Sequence, residues 1–204
     1  MLTVTAVTAP ASTYDLTLLA TVKAELGITD RDEDENLARW IKQASEAIAK
    51  FCNRVFAQET LTDTFRFKLR DREEGLALSR FPVTDLASVV ENDTTLDASD
   101  YELSPLGGVL IRLRNDHPWL WRYGKVVATY TAGYERVADL PFGIERAAII
   151  LVNQYRYAAT RDPLLRSEQT QNIGSSSYYD HVELAGFSPE LNGLLDKYRK
   201  PSNG

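Results

Sequence analysis

The stretch VVATYTAGYERVADLPFGIERAAIILVNQYRYAATR, residues 126–161, decides the fold. Val126, Ala128, Tyr130 and Ala132 alternate with Val127, Thr129 and Thr131, and this period of two, rich in β-branched side chains, predicts a strand. Gly133 supplies the backbone freedom a sharp turn requires, so Tyr130, Gly133 and Tyr134 are assigned to a structural corner. Asp139 stands two residues before Pro141 and suits the N-cap of a helix. Beyond it Ile144, Ala147, Ala148, Leu151, Tyr155 and Ala158 recur at helical spacing. Ile149, Ile150 and Val152 fall off that stripe, so the helix needs burial on more than one side. A neighbouring subunit is the expected cover. Ile149, Ile150 and Val152, with Trp40 on an earlier helix, become candidate subunit-interface residues.

Upstream, residues 15–26 predict a first helix with Leu18, Leu19, Val22 and Leu26 on one face and Gly27 at its end. Leu37, Trp40, Ile41, Ala44, Ile48 and Phe51 predict a second over about residues 32–52. From Thr60 the period changes to two: Phe65, Phe67 and Leu69 alternate with Arg66 and Lys68, a strand with one wet face. Residues 76–92 predict two short strands around Pro82, and 99–113 a hairpin turning at Gly107-Gly108. Residues 116–124 (DHPWLWRYG) predict an aromatic loop. After Arg161 the chain turns polar and aperiodic, a long loop or arm. It closes on a short helix with Ser188 as cap and Leu191, Leu194, Leu195 and Tyr198 as a small apolar stripe. The expected architecture is α+β: a bundle of three to four helices with an inserted β-rich subdomain and an extended C-terminal arm. Its segments are N-terminal helices over 1–59, the β-rich insertion over 60–134, the long apolar helix over 135–161, and the arm over 162–204.

A net charge of −6 and a pI of about 5.0 argue against broad binding to nucleic-acid phosphates. No apolar run reaches the roughly 20 residues of a membrane span, and no membrane is expected as partner. The opening MLTVTAVTAPAST has neither the basic start nor the apolar core of a signal peptide, so folding in a cytoplasm is expected. Asp30, Asp32 and Asp34 alternate as in a calcium loop, but Glu35 stands where that loop needs glycine and Ile41 where it needs a bidentate Glu. The acidic run instead suits the positive end of the second helix. His117 and His181 are far apart, and the single Cys52 reads as a small buried hydrophobe. No phosphate loop, nucleophile elbow or zinc-helix motif is present. Neither a catalytic residue, a metal nor a cofactor is expected. A wall-degrading hydrolase using paired carboxylates and a tail-tube or baseplate protein are the alternatives.

Four pieces in order resemble the head–tail connector, or adaptor, proteins of long-tailed bacteriophages and phage-like particles. LTLLATVKAELGI with DEDENLARWIKQASEAIAKFCNR looks like the family's opening helix pair. LSRFPVTDLASV resembles its strand pair, here with Pro82, Val83, Ser88 and Val89. YTAGY (130–134) and LPFGIERAAIILVNQYRY (140–157) resemble its most recognisable stretch. The chain departs from shorter relatives in its added C-terminal residues, and FCNRVF lacks the glycine many relatives carry before the Arg.

The resemblance implies a ring, dodecameric in the particle, at the virion's head–tail neck after assembly in the bacterial host cytoplasm. Such a ring binds the portal protein and a stopper or tail-terminator protein. Double-stranded DNA passes through its channel without sequence-specific binding. An isolated helix of about ten residues is marginal in water, so the terminal helix must dock on something. The expected dock is the portal, through Leu191, Leu194, Leu195, Tyr198, Arg199 and Lys200, with the subunit's own bundle as the alternative.

Overall fold

The two sequence periods sort into two units. The computed structural model describes residues 1–160, 167–170, 174–177 and 187–200. One unit comprises Met1–Tyr14 and Val55–Asp139, and the other Asp15–Arg54 and Leu140–Gly204.

The first unit is built of antiparallel strands. Its larger sheet has the order β1 (Leu2–Ala9), β2 (Glu59–Phe67), β9 (Gly124–Ala132), β4 (Val83–Glu91), β5 (Thr94–Thr95). The smaller has the order β3 (Gly75–Ala77), β7 (Val109–Arg114), β6 (Tyr101–Ser104), with β8 (His117–Trp119) on the other side of the β7 ladder. Strand alternation decides the core. Leu61, Phe65 and Phe67 of β2 and Val126, Ala128, Tyr130 and Ala132 of β9 point the same way and are buried. They join Leu76, Leu78, Leu110 and Trp121 from in and around the smaller sheet in one apolar cluster. Each large apolar side chain buried there is worth about 1.5–3 kcal/mol. The opposite face of β2 and β9 is a threonine ladder, with Thr60 against Thr131 at 3.1 Å and Thr62 against Thr129 at 3.3 Å.

The second unit is helical: α1 (Leu19–Leu26), α2 (Asp34–Phe51), α3 (Phe142–Thr160) and α4 (Pro189–Leu195). α3 packs against α1, α2 and α4. Gly27 ends α1 in the left-handed region at φ 67°. On α2, Leu37, Trp40, Ile41, Ala44 and Ile48 are buried as their spacing predicts. The fold is thus α+β, with the helices in one unit and the main sheets in the other.

Several details differ from expectation. Residues 2–9 form an edge strand on β2, so the N-terminal residues belong with the sheets and not with the helices. Their alternating Leu2, Val4 and Ala6 gain a ladder partner that sequence spacing cannot show. β8 and the Glu73–Trp121 bridge order part of the aromatic loop. β2 stops at Phe67, leaving Leu69 exposed. α1 starts at Leu19, four residues later than expected. Asp139 does not cap α3: Arg136 grips its carboxylate through two hydrogen bonds of 3.0 Å, and the helix begins after Pro141. Of the expected arm over 162–187, residues Ser167–Thr170 (β10) and Gly174–Ser177 (β11) pair as an antiparallel ladder, where an aperiodic loop was expected. Phe187 is also placed; the rest of that stretch, with His181, lies outside the described residues.

Candidate assembly surfaces

The corner at Tyr130–Tyr134 is explained by its backbone. Gly133 sits at φ 105°, and a Cβ there would lie 2.3 Å from the Ala57 carbonyl oxygen. Its N–H donates to the Pro82 carbonyl at 2.8 Å, and the Tyr134 N–H to that of Phe56 at 2.8 Å. Only glycine permits that approach at that φ.

Beside the corner lies a buried polar network. Asp63 occupies an inward position of β2 and is fully buried. Its Oδ2 accepts the Tyr130 hydroxyl and the Ser79 N–H, each at 2.7 Å, and its Oδ1 accepts the Thr5 hydroxyl at 2.7 Å. The Tyr130 hydroxyl in turn accepts the Arg80 N–H at 3.2 Å. Burial and the Asp63 carboxylate push the Tyr130 phenol far above its usual range. Glu59, four residues earlier on the same face, accepts from Tyr14 at 2.8 Å and from Arg80 Nε at 3.3 Å. That hydrogen bond raises the Tyr14 phenol as well. Both carboxylates are covered and hydrogen-bonded by their own fold, so neither faces a cleft in which a glycosidic bond could be cleaved. An acidic residue at an inward strand position, as in ETLTDTF (59–65), is the sequence signal for this network.

The acidic run ahead of α2 is likewise held internally. Asp34 pairs with Lys23 at 2.5 Å, whose ammonium also donates to the Asp30 carbonyl, and Asp30 accepts the Asp32 N–H at 3.2 Å. Arg156 clamps Glu33 at 2.7 and 2.9 Å and lowers its carboxyl below the ordinary range. Among the described residues no three His, Cys, Asp or Glu side chains gather as a metal would require. No helix among them is long and apolar enough to cross a membrane.

The candidate interface residues separate by exposure. Val152, Ile149 and Trp40 are buried within the chain. Their off-stripe position is satisfied because α3 is covered by three helices of its own unit, so they are core residues. Ile150 remains partly exposed.

The terminal helix divides in the same way. Leu191 and Leu195 are fully buried, and Ser188 caps α4 at 3.4 Å from the Leu191 N–H. The Lys200 N–H donates to the Cys52 carbonyl at 2.8 Å, Tyr198 packs on Gly143, and the Arg199 guanidinium lies 4.9 Å from the Phe51 ring centroid. Cys52 beneath them is buried, and desolvation pushes its thiol up to about 11. Leu191 and Leu195 therefore dock on their own bundle. Leu194, Tyr198, Arg199 and Lys200 keep exposed surface.

Sequence and structure comparisons agree with this architecture. The chain belongs to the head completion protein family, which matches residues 15–200. No curated protein matches the sequence. Similar folds occur in gene transfer agent (GTA) particles. A chain in the neck of an empty GTA particle, computed with C6 symmetry, aligns with a TM-score of 0.58 and 16% identity, over 100% of this chain and 99% of that one. A chain in the neck of a native GTA particle, computed with C12 symmetry, gives 0.57 and 16%, again over 100% and 99%. A chain in the virion of a native GTA particle gives 0.59 and 16%, over 98% of each.

Proposed function

We propose that this chain is a structural adaptor of the head–tail neck in a phage or phage-like particle. It assembles as a ring, twelve copies in the particle, between the portal protein and a stopper or tail-terminator protein. The ring extends the channel through which double-stranded DNA passes and holds the packaged head closed. The observation that carries this reading is the head completion family match across residues 15–200. The likeness to neck chains over the whole length of both molecules supports it. The covering of Glu59 and Asp63 takes that pair of carboxylates out of reach of a hydrolase substrate. Ile150 supplies a neighbour contact, and Leu194, Tyr198, Arg199 and Lys200 supply the surface toward the portal. Assembly takes place in the bacterial host cytoplasm, and the product resides in the virion.

Particles produced without this chain should package DNA but lose it on purification, and should carry no tails. Electron microscopy and a nuclease-protection assay read both effects. Tailed particles with full heads in its absence would contradict the adaptor role.

A further inference from the structure

The β unit carries a cluster of arginines around one exposed indole. Arg112 of β7 is held by Glu91 at 3.0 Å and Asp100 at 3.4 Å, and Lys125 pairs with Asp93 at 3.0 Å. Arg114 and Arg122 differ. Both guanidiniums approach one indole, that of Trp119 at the end of β8, at 5.1 and 4.9 Å from the ring centroid. Neither has a carboxylate within ion-pair distance among the described residues, and both are exposed. Trp119 is 39% exposed, whereas Trp40 and Trp121 are buried. The three side chains line an open cleft of about 400 Å³ with Asn115, Leu120 and the Arg112 side chain, whose own partners Glu91 and Asp100 lie in the same wall.

Stacking on an indole holds a guanidinium flat and turns its N–H edge outward, the geometry that grips a carboxylate or phosphate with two bonds. We infer that the Arg114–Trp119–Arg122 cleft is an interface that receives carboxylates of a second copy of this chain. The inference rests on the ring reading above and names one of its contact surfaces. Charge favours this occupant. Each chain carries −6, so identical neighbours repel unless their contacts set cations against acids. Composition favours it too, because exposed Trp, Tyr and Arg concentrate where protein surfaces bury each other, and Tyr123 follows Arg122 here. A patch at one place on the subunit, matched by a different acidic patch on the next, is the head-to-tail contact that closes rings.

The test is the double variant Arg114→Glu/Arg122→Glu, compared with wild type by mass photometry and negative-stain imaging over rising concentration. It should melt as wild type does, fail to form rings, and suppress wild-type rings when mixed in, because it keeps one face and loses the other. The neutral variant Arg114→Gln/Arg122→Gln should need about tenfold more protein to form rings, a change of about 1.4 kcal/mol, and serves if the charge reversal fails to fold. Rings formed by either variant as readily as by wild type would overturn the inference. If rings persist while binding of a double-stranded DNA fragment in a gel shift is lost, the cleft is a polyanion surface and the inference is wrong. A wild type that forms no ring, alone or on added portal, contradicts the ring reading itself, and this inference falls with it.

Discussion

Leu195→Ala should lower the stability of the helical unit by about 2–5 kcal/mol, and truncation after Phe187 should lower it further. The cause is packing. Leu191 and Leu195 are fully buried, and removing either side chain opens a cavity that neighbouring helices cannot refill. Truncation also takes away the Lys200 N–H that the Cys52 carbonyl accepts, and the Tyr198 ring lying on Gly143. Thermal melting followed by circular dichroism measures the loss. A thiol reagent gives an independent reading: Cys52, buried and pushed up to about 11, should react slowly in the full chain and readily in the truncated one. An unchanged melting curve with an unreactive thiol would show that α4 is not part of the bundle.

Asp63→Ala should destabilise the β unit by about 1–3 kcal/mol for each buried donor left without an acceptor. The substitution leaves the Tyr130 hydroxyl, the Ser79 N–H and the Thr5 hydroxyl without the carboxylate that joins β1, β9 and the segment after β3. Asp63→Asn keeps the shape and one acceptor oxygen and should cost less. Asp85→Ala, on an exposed position of β4, should stay within about 0.5 kcal/mol of wild type and serves as the control. Urea unfolding provides the comparison. Equal midpoints for the Asp63 and Asp85 variants would contradict the network's role.

These two sites mark where sequence reading stops. The spacing of Leu37, Trp40, Ile41, Ala44 and Ile48 reveals a helix and its buried face together, because periodicity is local. The alternation from Val126 to Ala132 does the same for β9, and Gly133 is recognisable because its φ is local too. What covers each face is a long-range property. Val152 and Ile149 look surplus on a helical projection, yet α3 has three helical neighbours, one of them α4 from near the chain's end. The same ambiguity turned Leu191 and Leu195 toward the portal when their partner lies in their own unit. The strand at Leu2–Ala9 buries none of its side chains, so its ladder on β2 supplies most of its definition. The Trp119 cleft was hidden for another reason. Arg114 and Arg122 meet there through the β7–β8 turn, and total charge says nothing of which cations share one indole.

The adaptor reading is tested most directly by imaging the purified protein mixed with portal and averaging the complexes along their axis. It predicts a single ring of this chain seated coaxially on the portal, with a continuous central channel. Portal particles with no added density, or density bound away from the axis, would contradict it.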